Sequence, residues 1–106
     1  MIVRIWHGYT TPANASIYEQ LLEEEIFNGI AEMQVSGYKG IQLLKRNLPY
    51  EVEFITIMTF TNYNAVKQFA GDDYEQAYVP ASARKILSRF DAKSQHYEII
   101  HELLYR

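Results

Sequence analysis

"VEFITIMTFT", residues 52–61, is the stretch of the 106-residue sequence that decides the fold. Its β-branched and aromatic residues predict a strand, in which alternate side chains point to opposite faces of a sheet. Phe54, Met58 and Phe60 fall on one face, and Ile55 and Ile57 fall on the other. A strand with water on one face would alternate apolar and polar residues, so this strand predicts a sheet that is covered on both faces.

Three further strands are predicted around it. "IQLLKRN" (41–47) precedes it and is joined to it by the short turn "LPYE", so the two strands are expected to be antiparallel. Residues 2–7 predict a first strand, and residues 93–100 predict the last one.

Two helical regions separate these strands. After Pro12, apolar residues recur at the spacing of an amphipathic helix, at Ile17, Leu21, Leu22, Ile26, Ile30 and Met33. Within that helix the run Glu23–Glu25 is interpreted as a solvated face, and Asn28-Gly29 is expected to be a bend or break. "NYNAVKQFAG" (62–71) predicts a shorter helix with Asn62 as N-cap and Gly71 at its C-terminal end.

Two pieces with helical character are expected after Gly71. Asp72-Asp73 is interpreted as the cap of a further helical turn that runs through Ala77, and "PASARKILSRF" (80–90) as a second amphipathic piece. The resulting order is strand, helix, strand, strand, helix, strand. It predicts a single α+β domain over 1–106, a ferredoxin-like split βαβ fold with a four-stranded antiparallel sheet and helices on one face. In that plan the first strand lies between the third and the fourth.

The face of the sheet without helices is expected to be apolar as well. Its proposed members are Val3, Ile5, Ile55, Ile57, Tyr97 and Ile99. Burial of each such side chain is worth about 1.5–3 kcal/mol, so packing against a second copy is the economical solution. The sequence therefore predicts a homodimer through this sheet face.

The register between the first and last strands decides which side chains lie under the helices, because a slip of one residue exchanges the faces. Placing His96 and Glu98 on the face of Arg4 and Trp6 gives the buried arginine a carboxylate partner, Glu98. The other register would leave that charge unpaired, at a cost of several kcal/mol. We therefore expect all four side chains on the helix side, beside Phe54, Met58 and Phe60.

Composition argues against several classes of function. The net charge of −3 and the lack of a Lys/Arg run disfavour nucleic acid and acidic membrane surfaces as partners. No cysteine is present, and His7, His96 and His101 lack the spacing of a zinc site, so no metal is expected. The N-terminal residues resemble neither a signal peptide nor a membrane span, which favours a cytoplasmic protein.

Three motifs are similar to those of a known family. "RIWHGYTTP" (4–12), "FAGDDYEQA" (69–77) and "HYE" (96–98) resemble the small proteins of the antibiotic biosynthesis monooxygenase family, in the dimeric α/β barrel superfamily. The resemblance covers nearly the whole chain. It implies a homodimer formed by sheet-to-sheet packing, a pocket between sheet and helices in each subunit, and oxidation of phenolic or quinol-type aromatics by dioxygen without a cofactor.

The same family includes haem-degrading enzymes. The positions that correspond to their asparagine, tryptophan and haem-ligating histidine are Trp6, Phe60 and the neighbourhood of Tyr78 and Val79, so none of the three is retained. Haem is therefore not expected, unless Tyr78 or His96 serves as an axial ligand.

Oxygenation without a cofactor needs a substrate that ionises, a base, a group that stabilises the anion, and a dry pocket. His96 is the candidate base, Glu98 its orienting or Arg4-pairing partner, and Arg4 the candidate oxyanion holder. The expected substrate-binding wall consists of Trp6, Phe54, Met58, Phe60 and Tyr78. The alternative is an Arg4–Glu98 ion pair without chemistry, in a binding protein that holds a small apolar ligand.

Overall fold

An antiparallel sheet with helices against one of its faces forms the protein in the computed structural model, which describes residues 1–105. The strands are β1 (Ile2–Thr10), β2 (Tyr38–Asn47), β3 (Val52–Phe60), β4 (Arg89–Phe90) and β5 (Gln95–Glu98). The helices are α1 (Ala15–Leu21), α2 (Phe27–Glu32), α3 (Tyr63–Ala70) and α4 (Ala81–Arg84), with a 3₁₀ turn at Pro12–Asn14 and a π turn at Leu22–Ile26. This is the α+β ferredoxin-like architecture that the strand and helix order predicts.

The centre of the sheet is β1, as predicted for the first strand. It pairs antiparallel with β3 from Ile2↔Phe60 to Thr10↔Val52, and β2 pairs with the outer side of β3. On its other side β1 pairs with both β4 and β5. The prediction of a single last strand over residues 93–100 is wrong in extent. In the described five-stranded sheet, two short strands, β4 and β5, take its place beside β1.

The division of that last strand has a physical cause. Between β4 and β5 the chain leaves β1, and its backbone groups bond to another segment: the Ala77 amide donates to the Ala92 carbonyl (2.9 Å) and the Ser94 amide to the Glu75 carbonyl (2.7 Å). The Asp91 amide still donates to the His7 carbonyl of β1 (3.0 Å). Because each backbone group must find a partner, the other bonds replace the sheet ladder at residues 92–94.

The register between β1 and β5 is the predicted one. Arg4 lies opposite His96 and Ile2 opposite Glu98, so these side chains share one face of the sheet. The same face carries Met58, which is the β3 partner of Arg4. Arg4 and Trp6 therefore lie on the helix side.

The first helical region is longer and less regular than its sequence indicates. No break occurs at Asn28-Gly29, where α2 is continuous. The irregularity lies one turn earlier, in the π turn that contains Glu23–Glu25. The Asn28 side chain donates to the Glu24 carbonyl (2.9 Å), which satisfies a carbonyl in the widened turn.

The ends of α3 are as expected, whereas the segment after it is not. The Asn62 side chain accepts from the Ala65 amide (3.0 Å), and Gly71 has φ of 88°. The helical turn expected from Asp72-Asp73 is wrong: these residues form a bend and turn, closed by the Gln76 amide on the Asp73 carbonyl (3.1 Å). Of the second amphipathic piece, only α4 is helical.

Two hydrophobic clusters lie between the sheet and the helices. One contains Tyr18 and Phe54, whose rings meet edge-on with centroids 4.9 Å apart. The other contains Phe60 and Val66, both fully buried. Within residues 1–105, no helix has both the length and the apolar character needed to cross a bilayer.

Candidate functional site

A cavity of about 590 Å³ lies between the sheet and the helices. Its strand wall consists of Arg4, Trp6, Ile41, Thr56 and Met58, and its first-helix wall runs from Tyr18 to Met33. Phe69, Tyr78, Val79 and Ser94 are among the residues that close its remaining sides. Because members of both core clusters line it, the cavity separates them, and its wall is mainly apolar.

Arg4 is the buried charge of this wall, with only 5% of its surface exposed. Its Nη1 donates to the Tyr74 carbonyl and to Nε2 of His96 (3.0 Å), and its Nη2 donates to the Gln76 carbonyl (3.3 Å). Burial lowers the pKa of Arg4 to about 10, so the guanidinium remains charged at neutral pH. All three acceptors are neutral, and no described carboxylate lies within ion-pair distance of it.

The carbonyls that hold Arg4 come from the turn that follows α3. That turn is tied to the sheet side of the molecule by the backbone bonds of residues 75–77 to residues 92–94. The guanidinium also lies 5.6 Å from the Phe69 ring centroid, at the end of α3. Segments about 70 residues apart in sequence are thus needed to position this one side chain.

His96 lies behind Arg4 and is not part of the cavity wall. Because arginine is only a donor, Nε2 of His96 must accept, which places the ring proton on Nδ1. That Nδ1 is buried and has no hydrogen-bond partner among the described residues. The ring packs edge-on against Tyr74 (5.1 Å between centroids).

The pKa of His96 is lowered by burial first and by the neighbouring Arg4 charge second, against a smaller opposing effect of Glu75. A histidine whose folded-state pKa is depressed binds its proton more readily in the unfolded chain. Its neutral form therefore supports stability fully above about pH 6.5, and that contribution is lost as the pH falls toward the lowered value.

We expect the unfolding free energy of the wild type to fall between pH 7 and pH 5 by more than that of His96→Gln. Glutamine has no titration in this range, and its side-chain oxygen can still accept from Arg4. Urea denaturation at half-unit pH steps measures the difference between the two proteins. Parallel pH profiles would contradict a neutral, buried His96.

Trp6 is held rigidly in the wall. Its indole Nε1 donates to the Asp91 carbonyl (2.7 Å), and its ring lies 6.0 Å from that of Phe90. The ring passes directly over Gly8, where an added Cβ would lie 2.9 Å from two ring atoms. Glycine at this position is therefore what allows the indole to lie flat along the sheet.

The structure brings together only part of the predicted site. Arg4, Trp6, Met58 and Tyr78 line the cavity, although Tyr78 is 81% exposed and lies at its edge. Phe54 and Phe60 do not line it, since both are fully enclosed in the two core clusters.

The predicted ion pair between Arg4 and Glu98 is wrong. Glu98 lies opposite Ile2, two residue pairs beyond Arg4, and it is exposed. It lines a separate recess of about 290 Å³ with Asn62 and Tyr63. The guanidinium is satisfied by backbone carbonyls, a source of partners that strand pairing alone does not reveal.

Several wall residues were not foreseen as site residues. Tyr18, Thr56, Phe69 and Ser94 line the cavity, as do Ile26, Ile30 and Met33 from the apolar stripe of the first helix. The apolar stripe of the first helix could have indicated these residues. A helix that turns an apolar face toward the sheet borders any pocket between the two. No local pattern distinguishes Tyr18 or Ser94.

No family model matches this sequence, and no curated protein matches it. Solved structures do match over almost their whole length. A candidate antibiotic biosynthesis monooxygenase from Bacillus cereus has TM-score 0.68 and 12% identity, with 98% of this chain and 97% of that chain covered. Rv0793 from Mycobacterium tuberculosis has TM-score 0.62 and 15% identity, with coverage of 95% and 96%.

A third match is MhuD from Mycobacterium tuberculosis, a haem degrader whose structure holds two haems in its active site. It has TM-score 0.59 and 16% identity, with 97% of this chain and 99% of that chain covered. The chain thus has the fold of the antibiotic biosynthesis monooxygenase-type proteins, as the three motifs predict. At these identities the similarity concerns the fold, and activity must be argued from the cavity.

The cavity does not fit a histidine-ligated haem. No histidine is among its described lining residues, and His96 lies behind Arg4 with Nε2 already engaged. The side chain of Tyr78 is the remaining ligand considered from sequence, and it is largely exposed at the edge of the cavity.

Proposed function

We propose that the protein is a cofactor-independent monooxygenase that oxidises a phenolic or quinol-type aromatic with dioxygen in the cavity between sheet and helices. The observation that carries the proposal is the guanidinium of Arg4, buried in a mainly apolar wall with no described carboxylate within ion-pair distance. A buried cation of this kind stabilises negative charge on a bound molecule far better than one in water does.

The cavity is large enough for such a substrate. A cavity of ~150 Å³ accommodates benzene, so about 590 Å³ has room for more than one ring and for dioxygen beside it. Trp6, Phe69 and Met58 supply flat or adaptable apolar contacts.

The reaction balances without an added reductant. A phenol with a free para carbon and one dioxygen yield a quinone and one water: one oxygen atom forms the new C=O bond, and the other leaves as water. The substrate supplies all four electrons, and both its hydroxyl and ring protons go to that water. Arg4 promotes the first step because its charge favours the phenolate, the form that donates electrons to dioxygen.

The remaining candidate residues take different roles in this proposal. His96 is a positioning residue, since its lone pair holds Nη1 of Arg4 and its ring does not reach the cavity. Phe54 and Phe60 support the wall from the core, and Tyr78 borders the entrance. Glu98 lies outside the cavity and has no role in the chemistry.

The functional unit in this proposal is a homodimer formed through the other face of the sheet. In β1 and β3 the residues of that face, among them Ile5 and Ile57, are only half-buried, whereas most residues of the helix side are buried. They are adjacent across the two strands, and Leu44 of β2, 42% exposed, extends the same face. His7 and Gln42 interrupt this face, so the apolar patch that supports a dimer is the part centred on Ile5 and Ile57.

Oxygen consumption with a panel of hydroquinones and naphthols tests the activity. We expect turnover by the wild type and a loss of about 10²–10³-fold in kcat for Arg4→Gln, because a buried group that stabilises developing charge is removed. Lys39→Gln, which removes a charge from an exposed site on β2, is the matched control and should be unaffected.

Two results would overturn this assignment. A rate unchanged in Arg4→Gln would remove Arg4 from the chemistry. Tight binding of the same aromatics without any oxygen uptake would favour the alternative, a non-catalytic protein that binds small ligands.

A further inference from the structure

The hydrogen bonds of Arg4 leave part of its guanidinium unused. Arginine has five N–H donors: two on Nη1, two on Nη2 and one on Nε. Tyr74 and His96 occupy both donors of Nη1, and Gln76 occupies one of Nη2. One donor on Nη2 and the single donor on Nε have no partner in the described part of the chain.

The spare donor on Nε is reached from the cavity. Among the side chains of residues 1–105 that are not exposed, only Thr10 Oγ1 and His96 Nδ1 are both inaccessible to solvent and without a hydrogen-bond partner. The unpartnered Nε of Arg4 is not among them, so it borders accessible space. Because Arg4 is 5% exposed and lines the cavity, that space is the cavity.

The wall offers no suitable base beside this cation. Its described ionisable residues other than Arg4 are Tyr18, Glu25 and Tyr78. Burial raises the pKa of Tyr18 far above its ordinary value, so its hydroxyl stays protonated. Glu25 is exposed and belongs to the first-helix wall, whereas Arg4 belongs to the strand wall.

We infer that the cavity takes its aromatic ligand as an anion that has already formed in solution. The ligand class is an acidic aromatic enol or phenol, ionised at neutral pH, whose anionic oxygen has a second acceptor oxygen on the adjacent carbon. Nε and Nη2 lie along one edge of the planar guanidinium, and two donors on one edge match two adjacent oxygens. The inference names the substrate class of the proposed monooxygenase. It rests on the proposed function only for the oxidation that follows binding.

Isothermal titration calorimetry with three probes at pH 7 tests the inference. The probes are 2-hydroxy-1,4-naphthoquinone, which is anionic at this pH, 1,4-naphthoquinone, which has no hydroxyl, and 1-naphthol, which is neutral. We expect the hydroxyquinone to bind at least about tenfold more tightly than either neutral probe, since a charge-assisted bond is added. Titrations in buffers of different ionisation enthalpy should show no net proton release.

Variants of Arg4 distinguish the effect of its charge on binding from the effect of two donors on one edge of the guanidinium. In Arg4→Gln the hydroxyquinone should lose its advantage over 1,4-naphthoquinone, whereas the affinity for 1,4-naphthoquinone should change less than about threefold. Arg4→Lys keeps the charge without the two-donor edge, so we expect it to retain only part of the preference. Lys39→Gln should match the wild type.

Three outcomes would overturn the inference: equal affinity for the hydroxyquinone and 1,4-naphthoquinone, no binding of the hydroxyquinone up to millimolar concentration, or release of one proton per site on binding 1-naphthol. Should Arg4→Gln fail to fold, the comparison of the three probes with the wild type still decides. Oxygen uptake is measured in a separate experiment. Monooxygenase activity toward neutral phenols, together with equal affinity for the hydroxyquinone and 1,4-naphthoquinone, would refute the inference and leave the proposed function intact.

Discussion

Replacing Ile57 with lysine should abolish the proposed dimer, leaving monomers or aggregates. Ile57 is at the middle of β3, directly opposite Ile5 of the central strand and on the face that no helix covers. In a two-fold dimer each copy would bring one ammonium group into the interface, and each costs several kcal/mol to remove from water.

Sedimentation velocity at tens of micromolar decides this prediction. Gln20→Lys is the matched control, because it adds the same charge to an exposed position of α1, where Glu24 lies one turn away. It should remain dimeric. A monomeric wild type, or a well-folded Ile57→Lys dimer, would contradict the assignment of this face.

Glu53 is unsuitable as a mild control, although it belongs to the same face. Its carboxylate accepts from Tyr9 (3.1 Å) and Arg46 (3.1 Å) and lies 3.4 Å from Nδ1 of His7. A lysine there would break these contacts and add a second positive charge beside Arg46.

Truncating Phe54 to alanine should destabilise the protein by about 3–5 kcal/mol, a large part of the ~5–15 kcal/mol that holds a domain of this kind folded. Phe54 is fully buried and its ring meets that of Tyr18 edge-on, so the substitution removes contacts on both sheet and helix. Urea denaturation followed by far-UV circular dichroism gives the change in free energy.

Tyr78→Ala is the informative comparison for Phe54→Ala. The sequence assigned both residues to the substrate-binding wall, but Tyr78 is 81% exposed, so its loss should change stability by less than about 0.5 kcal/mol. A cost below 1 kcal/mol for Phe54→Ala would indicate that its ring borders open space and belongs to the cavity after all.

The sequence by itself determined the first three strands, the ends of α3 and the faces of the sheet. The period of two in β3 separates Phe54, Met58 and Phe60 from Ile55 and Ile57, and the structure keeps that separation. Asn62 and Gly71 mark the ends of α3 because capping depends on residues within one helical turn. The placement of Arg4 and His96 on one face followed from the cost of burying an unpaired charge. Glu98, the carboxylate assumed to pair with Arg4, was the wrong partner.

Only the tertiary structure decided how the site is assembled. Arg4 is held by the carbonyls of Tyr74 and Gln76, which neither side-chain type nor spacing reveals, because every residue has a carbonyl. The same packing places His96 behind the guanidinium and outside the cavity. Strand periodicity specifies the face on which a side chain lies, whereas depth and partners depend on contacts between segments some 70 to 90 residues apart. Those contacts form only when the whole chain packs.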